Sequence, residues 1–195
     1  MSDLFGPTIN TMPIDGEKGR VERGAFFTPD LLARAIARTL GELISPSTVL
    51  EPGCGGGAFL RAARAEWPSA LLTGVDLLPA CDGPGAIFTG DIFRHQGRYD
   101  LILGNPDYGR AEEIVRHCML LLEPGAHLAF LLRAAFLGST GRVALYREFP
   151  LRYLRPIAQR PSFTGGGSDP SEYALFVWQA AFKGNGEILP PLVWR

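Results

Sequence analysis

Two rhythms of apolar and polar residues divide most of the chain: short continuous apolar runs, and stretches in which apolar residues recur every three to four positions. Leu31, Leu32, Ala35, Ile36 and Leu40 fall on one helical face behind Thr28-Pro29-Asp30. That triplet reads as a cap residue followed by a proline at the first helical position. Gly41 or Ser45-Pro46 closes the helix. Residues 48–50, 71–75, 86–88 and 99–103 are then predicted as short buried strands, with helices over 58–67 and 112–122. A strongly apolar strand over 127–136, a short helix over 143–149, and two last strands over 153–159 and 173–182, separated by Gly165-Gly166-Gly167, complete the pattern. Strands alternating with helices give an α/β, Rossmann-like fold: a mostly parallel seven-stranded sheet with helices on both faces and an antiparallel C-terminal hairpin.

The pattern stops at both ends. Residues 1–24, rich in Gly, Pro and polar side chains, are expected to form an irregular arm; residues 25–182 form the domain; and residues 183–195 are a short tail whose pattern predicts no element. With 195 residues, 46% of them hydrophobic, the chain suits a single core. A net charge of −1 says nothing for or against a polyanionic partner. Cys54, Cys81 and Cys118 are far apart, and His95, His117 and His127 are scattered. Neither a disulfide framework nor a metal site follows. No leader pattern is visible and no run approaches the ~20 apolar residues of a membrane span, so a cytoplasmic protein without a membrane partner is expected.

Candidate chemistry begins at Val49-Leu50-Glu51-Pro52-Gly53-Cys54-Gly55-Gly56-Gly57. An acid ends a strand, and glycines at alternate positions then lead into a helix, so bare backbone and helix-start amides face a ligand. The spacing E-x-G-x-G-x-G differs from the G-x-G-x-x-G of dinucleotide sites and puts Glu51 where it can meet a cationic amino group. Asp76 ends the next strand, where an acid can take both ribose hydroxyls or simply cap the strand. Asp91 follows the third strand and can accept from an adenine amino group while Ile92 packs on the ring; an Asp-initiated turn has the same residues. The fourth strand runs into Gly104-Asn105-Pro106-Asp107-Tyr108. Here the Asn105 side-chain oxygen and the Pro106 carbonyl can both face one incoming NH2 group, leaving its lone pair for attack on a sulfonium methyl, with Tyr108 as a stacking face. A plain Asn-Pro turn is the competing reading.

Taken in order, Phe26-Phe27-Thr28-Pro29, Glu51 to Gly57, Asp76 and Asn105-Pro106-Asp107-Tyr108 resemble the amino-methyltransferase branch of the class I S-adenosylmethionine-dependent enzymes. The likeness is greatest to the adenine-specific DNA methyltransferases, including small phage-borne and prophage-borne members. It spans about residues 26–178. It implies S-adenosyl-L-methionine as cofactor, held by Phe27, Thr28, Pro29, Glu51, Gly53, Gly55, Asp76, Leu77, Asp91, Ile92 and Asn105. It also implies methyl transfer to adenine N6 in DNA through Asn105, Pro106, Asp107 and Tyr108. Two departures stand out: Asp107 replaces the family's usual second proline, and only 87 residues follow Tyr108, where many DNA-specific relatives add a target-recognition domain. Protein glutamine or an RNA base as acceptor, or a relic that binds the cofactor without turnover, are the alternatives. Six arginines between 133 and 160, against Glu148 alone, offer a phosphate-binding stripe or a solvated surface.

Overall fold

The computed structural model describes residues 28–80, 83–163 and 170–194. The arm over residues 1–24, together with Phe27, Cys81 and the Gly165–Gly167 loop, lies outside the described residues. Within them the chain runs α1 (Asp30–Gly41), β1 (Thr48–Pro52), α2 (Ala58–Glu66), β2 (Leu71–Asp76), β3 (Ala86–Thr89), β4 (Tyr99–Gly104), α3 (Ala111–Leu120), β5 (Leu122–Arg133), α4 (Val143–Glu148), β6 (Leu151–Pro156), β7 (Tyr173–Gln179) and β8 (Glu187–Ile188).

One sheet of eight strands, in the order β3-β2-β1-β4-β5-β7-β6-β8, carries the whole arrangement. Strand β7 inserts antiparallel between β5 and β6, and every other pair is parallel. The chain leaves β1 in one direction, to β2 and β3, and returns past it to β4. The carboxyl ends of β1 and β4 therefore border a topological switch point, where parallel sheets bind ligands.

Alternation along the central strands sends neighbouring residues to opposite faces. Val49, Leu101, Leu103, Ala129, Leu131, Leu175 and Val177 join α1 and α2 in one core. Leu50, Ile102, Leu128, Phe130, Leu132, Phe176 and Trp178 join α3 and α4 in the other. Because both faces are covered, these strands read as continuous apolar runs rather than as an alternating pattern. Asp100 pins the start of the switch: its Oδ2 accepts from the Ser47 and Thr48 amides at 2.8 and 3.0 Å, and its own amide donates to Thr48 Oγ1 at 2.9 Å.

Three details depart from the expected elements. Pro29, not Thr28, is the N-cap of α1, and no side chain caps that helix. Strand β5 begins five residues earlier than the apolar run, at Leu122, because Tyr99 pairs with Leu122 across a register shift around Pro124 and Gly125. It ends at Arg133, where a 3₁₀ turn over Ala134–Leu137 takes over. The tail adds an eighth strand: β8 pairs with β6, Leu192 is buried, and the Trp194 indole donates to the Gln159 carbonyl at 3.0 Å.

The tail also accounts for much of the arginine excess. Arg152 pairs with Glu187 at 2.8 Å, Arg155 donates to the Pro190 carbonyl at 3.0 Å and to Thr39 at 3.2 Å, and Arg160 pairs with Glu172. These three side chains fasten the far edge of the sheet, where the tail and Glu172 engage them. Among the described residues no helix is long and apolar enough to cross a membrane.

Trp178 is fully buried, yet its Nε1 has no partner among the described residues. Trp178→Phe removes the orphan donor but leaves a small cavity, so it should cost about 1–2 kcal/mol. Trp178→Ala should cost about 3–5 kcal/mol. Urea midpoints of the two variants check this, and equal losses would show that the indole nitrogen has a partner.

Candidate active site

The glycine turn after β1 is held from behind by β2. Val75 accepts from the Gly53 and Cys54 amides at 2.7 and 3.1 Å. Asp76 then accepts from the Gly55 amide through Oδ2 and from the Leu78 amide through Oδ1, both at 2.8 Å. Gly53, Gly55 and Gly57 have φ of 65, 45 and 72°, the left-handed region that a side chain disfavours. A Cβ built on Gly53 meets no protein atom within 4 Å, so packing does not demand glycine there. The backbone conformation does, and the adjoining space stays open.

That space is a cavity of about 350 Å³ at the carboxyl ends of β1, β2 and β4. Of the residues singled out from the sequence, Thr28, Glu51, Gly53, Gly55, Asp76, Leu77, Asp91, Ile92, Asn105, Pro106, Asp107 and Tyr108 all line it. Pro29 does not, since it starts α1. Sequence reasoning missed Arg61, Leu78 and Arg110, which also line the cavity. Gly90 and Phe93, which flank Asp91 and Ile92 in the sequence, line it too, and a Cβ on Gly90 would meet nothing within 4 Å. Arg61 reaches the site from α2, bound to the Gly56 carbonyl and paired with Asp30 at 2.7 Å.

Glu51 is 4% exposed, and its Oε2 accepts from the Leu60 amide at 2.9 Å. Burial pushes its carboxyl up to about 8 against the opposing pull of the Leu60 and Phe59 amides and the Arg61 charge. An ammonium group brought against Glu51 would favour the ionised form. Asp91 caps the 3₁₀ turn Ile92–Arg94 by accepting from the Phe93 amide at 3.1 Å.

At the end of β4 the Asn105 side chain is engaged at both ends. Its Nδ2 donates to Thr28 Oγ1 at 3.2 Å, and its Oδ1 accepts from the Tyr108 hydroxyl at 2.6 Å. Tyr108 is packed against Tyr173 with ring centroids 6.0 Å apart, and the Arg133 guanidinium lies 5.3 Å from its ring centre. Burial drives its phenol well above the usual tyrosine range, so Tyr108 stays protonated. Asp107 Oδ1 accepts from the Gly109 amide at 2.9 Å, closing an Asx-type turn where a proline would otherwise limit the backbone. Arg110 lies over the Phe93 ring at 4.5 Å and within 3.4 Å of Glu113.

A family model of the methyltransferase domain matches residues 25–166. The chain is 28% identical, in an alignment of 244 positions, to the type II methyltransferase M.TthHB8I of Thermus thermophilus, covering 98% of this chain and 54% of that protein. It is 33% identical over 100 residues to the type II methyltransferase M.CvrRI of Paramecium bursaria Chlorella virus XZ-6E, covering 47% and 26%. The chain thus spans between about a quarter and about half the length of these curated relatives. Among solved structures, it resembles a Listeria monocytogenes protein described as a class I S-adenosylmethionine-dependent methyltransferase. The TM-score is 0.64 at 13% identity, over 86% of this chain and 66% of that one. That likeness establishes the fold.

The raised Glu51 carboxyl has a measurable consequence for stability. Between the ordinary value of 4.5 and about 8 the folded chain keeps a proton that the unfolded chain has released, so stability falls as pH rises through that window. Glu51→Gln removes this dependence. The stability difference, wild type minus variant, should decline by up to about 1.4 kcal/mol per pH unit across the window. Urea midpoints measured at several pH values read it, and a flat difference would return Glu51 to an ordinary carboxylate.

Proposed function

Because the chain belongs to the methyltransferase-domain family, we propose that it transfers a methyl group from S-adenosylmethionine to an exocyclic amino group, with adenine N6 in DNA as the acceptor. The observation that carries this reading is the shared cavity: the Asn105-Pro106 corner of β4 opens onto the same space as the glycine turn and Asp76. Donor and acceptor subsites in one pocket suit direct transfer between two bound molecules.

The lining fits the cofactor. Asp76 uses one lone pair of each oxygen on a backbone amide, which leaves further acceptor capacity toward two ribose hydroxyls. Leu77 and Ile92 offer apolar flanks for an adenine, and Asp91 an acceptor for its amino group. Gly53 and Gly90 leave room that a side chain would fill. Thr28 and Glu51 stand at the methionine end, where the buried carboxyl provides a counter-charge for an α-ammonium group. Bound in this cavity, S-adenosylmethionine supplies an electrophilic methyl group on a sulfonium.

The chain's own residues prepare the acceptor. Asn105 Oδ1 and the Pro106 carbonyl accept the two amine hydrogens, so the nitrogen lone pair is left to attack. Tyr108 provides an aromatic face for the base. Asp107 shapes the turn through the Gly109 amide and leaves its charge at the exposed mouth. DNA as acceptor is supported by the likeness to two type II methyltransferases and by Arg110, which lines the cavity, and Arg133, over the Tyr108 ring, whose charge suits phosphates.

Two variants separate the subsites. Asp76→Ala should weaken S-adenosylmethionine by about one to two decades in dissociation constant, the ~1.5–3 kcal/mol of a charge-assisted hydrogen bond. Calorimetry reads it, and unchanged affinity would remove Asp76 from the ribose. Asn105→Ala should leave that affinity nearly intact while cutting methyl transfer by about a hundredfold or more, as loss of a positioned polar group does. Labelled methyl groups offered with DNA, RNA and protein in parallel should appear as N6-methyladenine in DNA. Label confined to RNA or protein would overturn the choice of acceptor.

A further inference from the structure

Thr28 directly precedes the N-cap of α1, one residue short of the position where a threonine hydroxyl accepts from a backbone amide of the first turn. The N-cap of α1 is Pro29, and no side chain caps the helix, an omission that costs about 1 kcal/mol where it has been measured. The Thr28 hydroxyl instead accepts from Asn105 Nδ2, 77 positions along the chain. A side chain at the start of one helix that bonds a catalytic candidate at the end of a distant strand has a positional task.

The chemistry of an amide gives that task its content. Asn105 has one acceptor oxygen and one donor nitrogen at the end of the same short side chain, and rotation by about 180° about its last bond exchanges them. Only one orientation presents an acceptor to an amine. The other would aim N–H groups at N–H groups and exclude the substrate. With Nδ2 held by Thr28, Oδ1 faces Tyr108, whose hydroxyl donates to it at 2.6 Å. The Tyr108 hydroxyl uses one of the two acceptor sites of Oδ1 and leaves the other for an incoming amine N–H.

We infer that Thr28 is a positioning residue for transfer: its hydroxyl fixes the Asn105 amide with Oδ1 toward the acceptor subsite, and the Tyr108 hydroxyl donates to that oxygen. The inference rests on the reading of Asn105 as the acceptor of the target amine. It differs from a plain cofactor contact at Thr28, which would act on affinity for S-adenosylmethionine alone.

The test is kinetic, with a spectroscopic arm that needs no turnover. Thr28→Val keeps the shape and removes the acceptor, whereas Thr28→Ser keeps it. At saturating S-adenosylmethionine, Thr28→Val should lower kcat for DNA methylation about ten- to a hundredfold, the scale of a misplaced reacting group. Because Thr28 also borders the cofactor subsite, its KM for the cofactor should rise as well, but by less than about tenfold, one decade of affinity, so that the loss falls chiefly on kcat. Thr28→Ser should restore most of the rate, and Thr28→Val should have no further effect in the Asn105→Ala background. An unchanged kcat with a raised cofactor KM, or an additive double variant, would overturn the inference. In parallel, the Asn105 side-chain NH2 resonances of the full chain should lose exchange protection in Thr28→Val and keep it in Thr28→Ser. Unchanged protection would equally overturn it. If wild type methylates no acceptor while the protection pattern appears as expected, the proposed reaction fails and the Thr28–Asn105 coupling stands.

Discussion

The carboxylate of Asp76 is the fastening on which the ligand edge of this protein depends. A turn with three glycines has a high conformational entropy in the unfolded chain and little side-chain packing to offset it. Two bonds of 2.8 Å, from the Gly55 and Leu78 amides to the two oxygens of one side chain, tie that turn and the loop after β2 together. Val75 continues the clamp by accepting from Gly53 and Cys54. The result is a rigid cradle at the switch point, made from backbone groups that would otherwise be unsatisfied. The side chains that border the cradle inherit its precision, including Glu51 at the end of β1 and Asn105 at the end of the adjacent β4.

Several side chains around this cradle do something other than their local sequence suggests, and in each case a longer-range partner competes successfully for a polar group. Thr28, next to the uncapped start of α1, meets Asn105. Asp107, standing where the family it resembles usually has a proline, closes an Asx-type turn on the Gly109 amide. The Glu51 carboxyl faces the cavity from a nearly dry site, where the Leu60 amide only partly offsets burial. A charge arriving opposite it would complete the balance. Buried polar groups of this kind are expensive for stability and cluster where function requires them.

Arginine shows the same point from the other side. Six of them within 28 residues look like one basic surface when written in a line. In the fold their partners differ: Arg152, Arg155 and Arg160 hold the tail and the far strands, Arg142 stacks on Phe136, and Arg133 lies over the Tyr108 ring. Positive charge at the candidate site comes from Arg61 and Arg110, both outside that arginine-rich stretch, and from Arg133 over the Tyr108 ring. A strand exposes alternate residues to opposite faces, so consecutive basic positions rarely build one patch.

The sequence by itself determined the order of elements and the edge of the sheet at which chemistry is possible. Continuous apolar runs can be satisfied only between two layers of helices, and a glycine-rich turn or an Asn-Pro corner has few conformations. Twelve of the residues singled out in this way line one cavity. Element ends were less legible, because Pro124 and Gly125 read as a turn but are bridged by a register shift in β5, and because the tail becomes a strand only when β6 offers its open edge. The partners of Thr28, Asn105, Tyr108 and the arginines, and the titration of Glu51, were decided by the tertiary structure alone. Local propensity depends on neighbours within a few positions, whereas hydrogen-bond competition, burial and charge depend on groups that only the closed fold brings within a few ångströms.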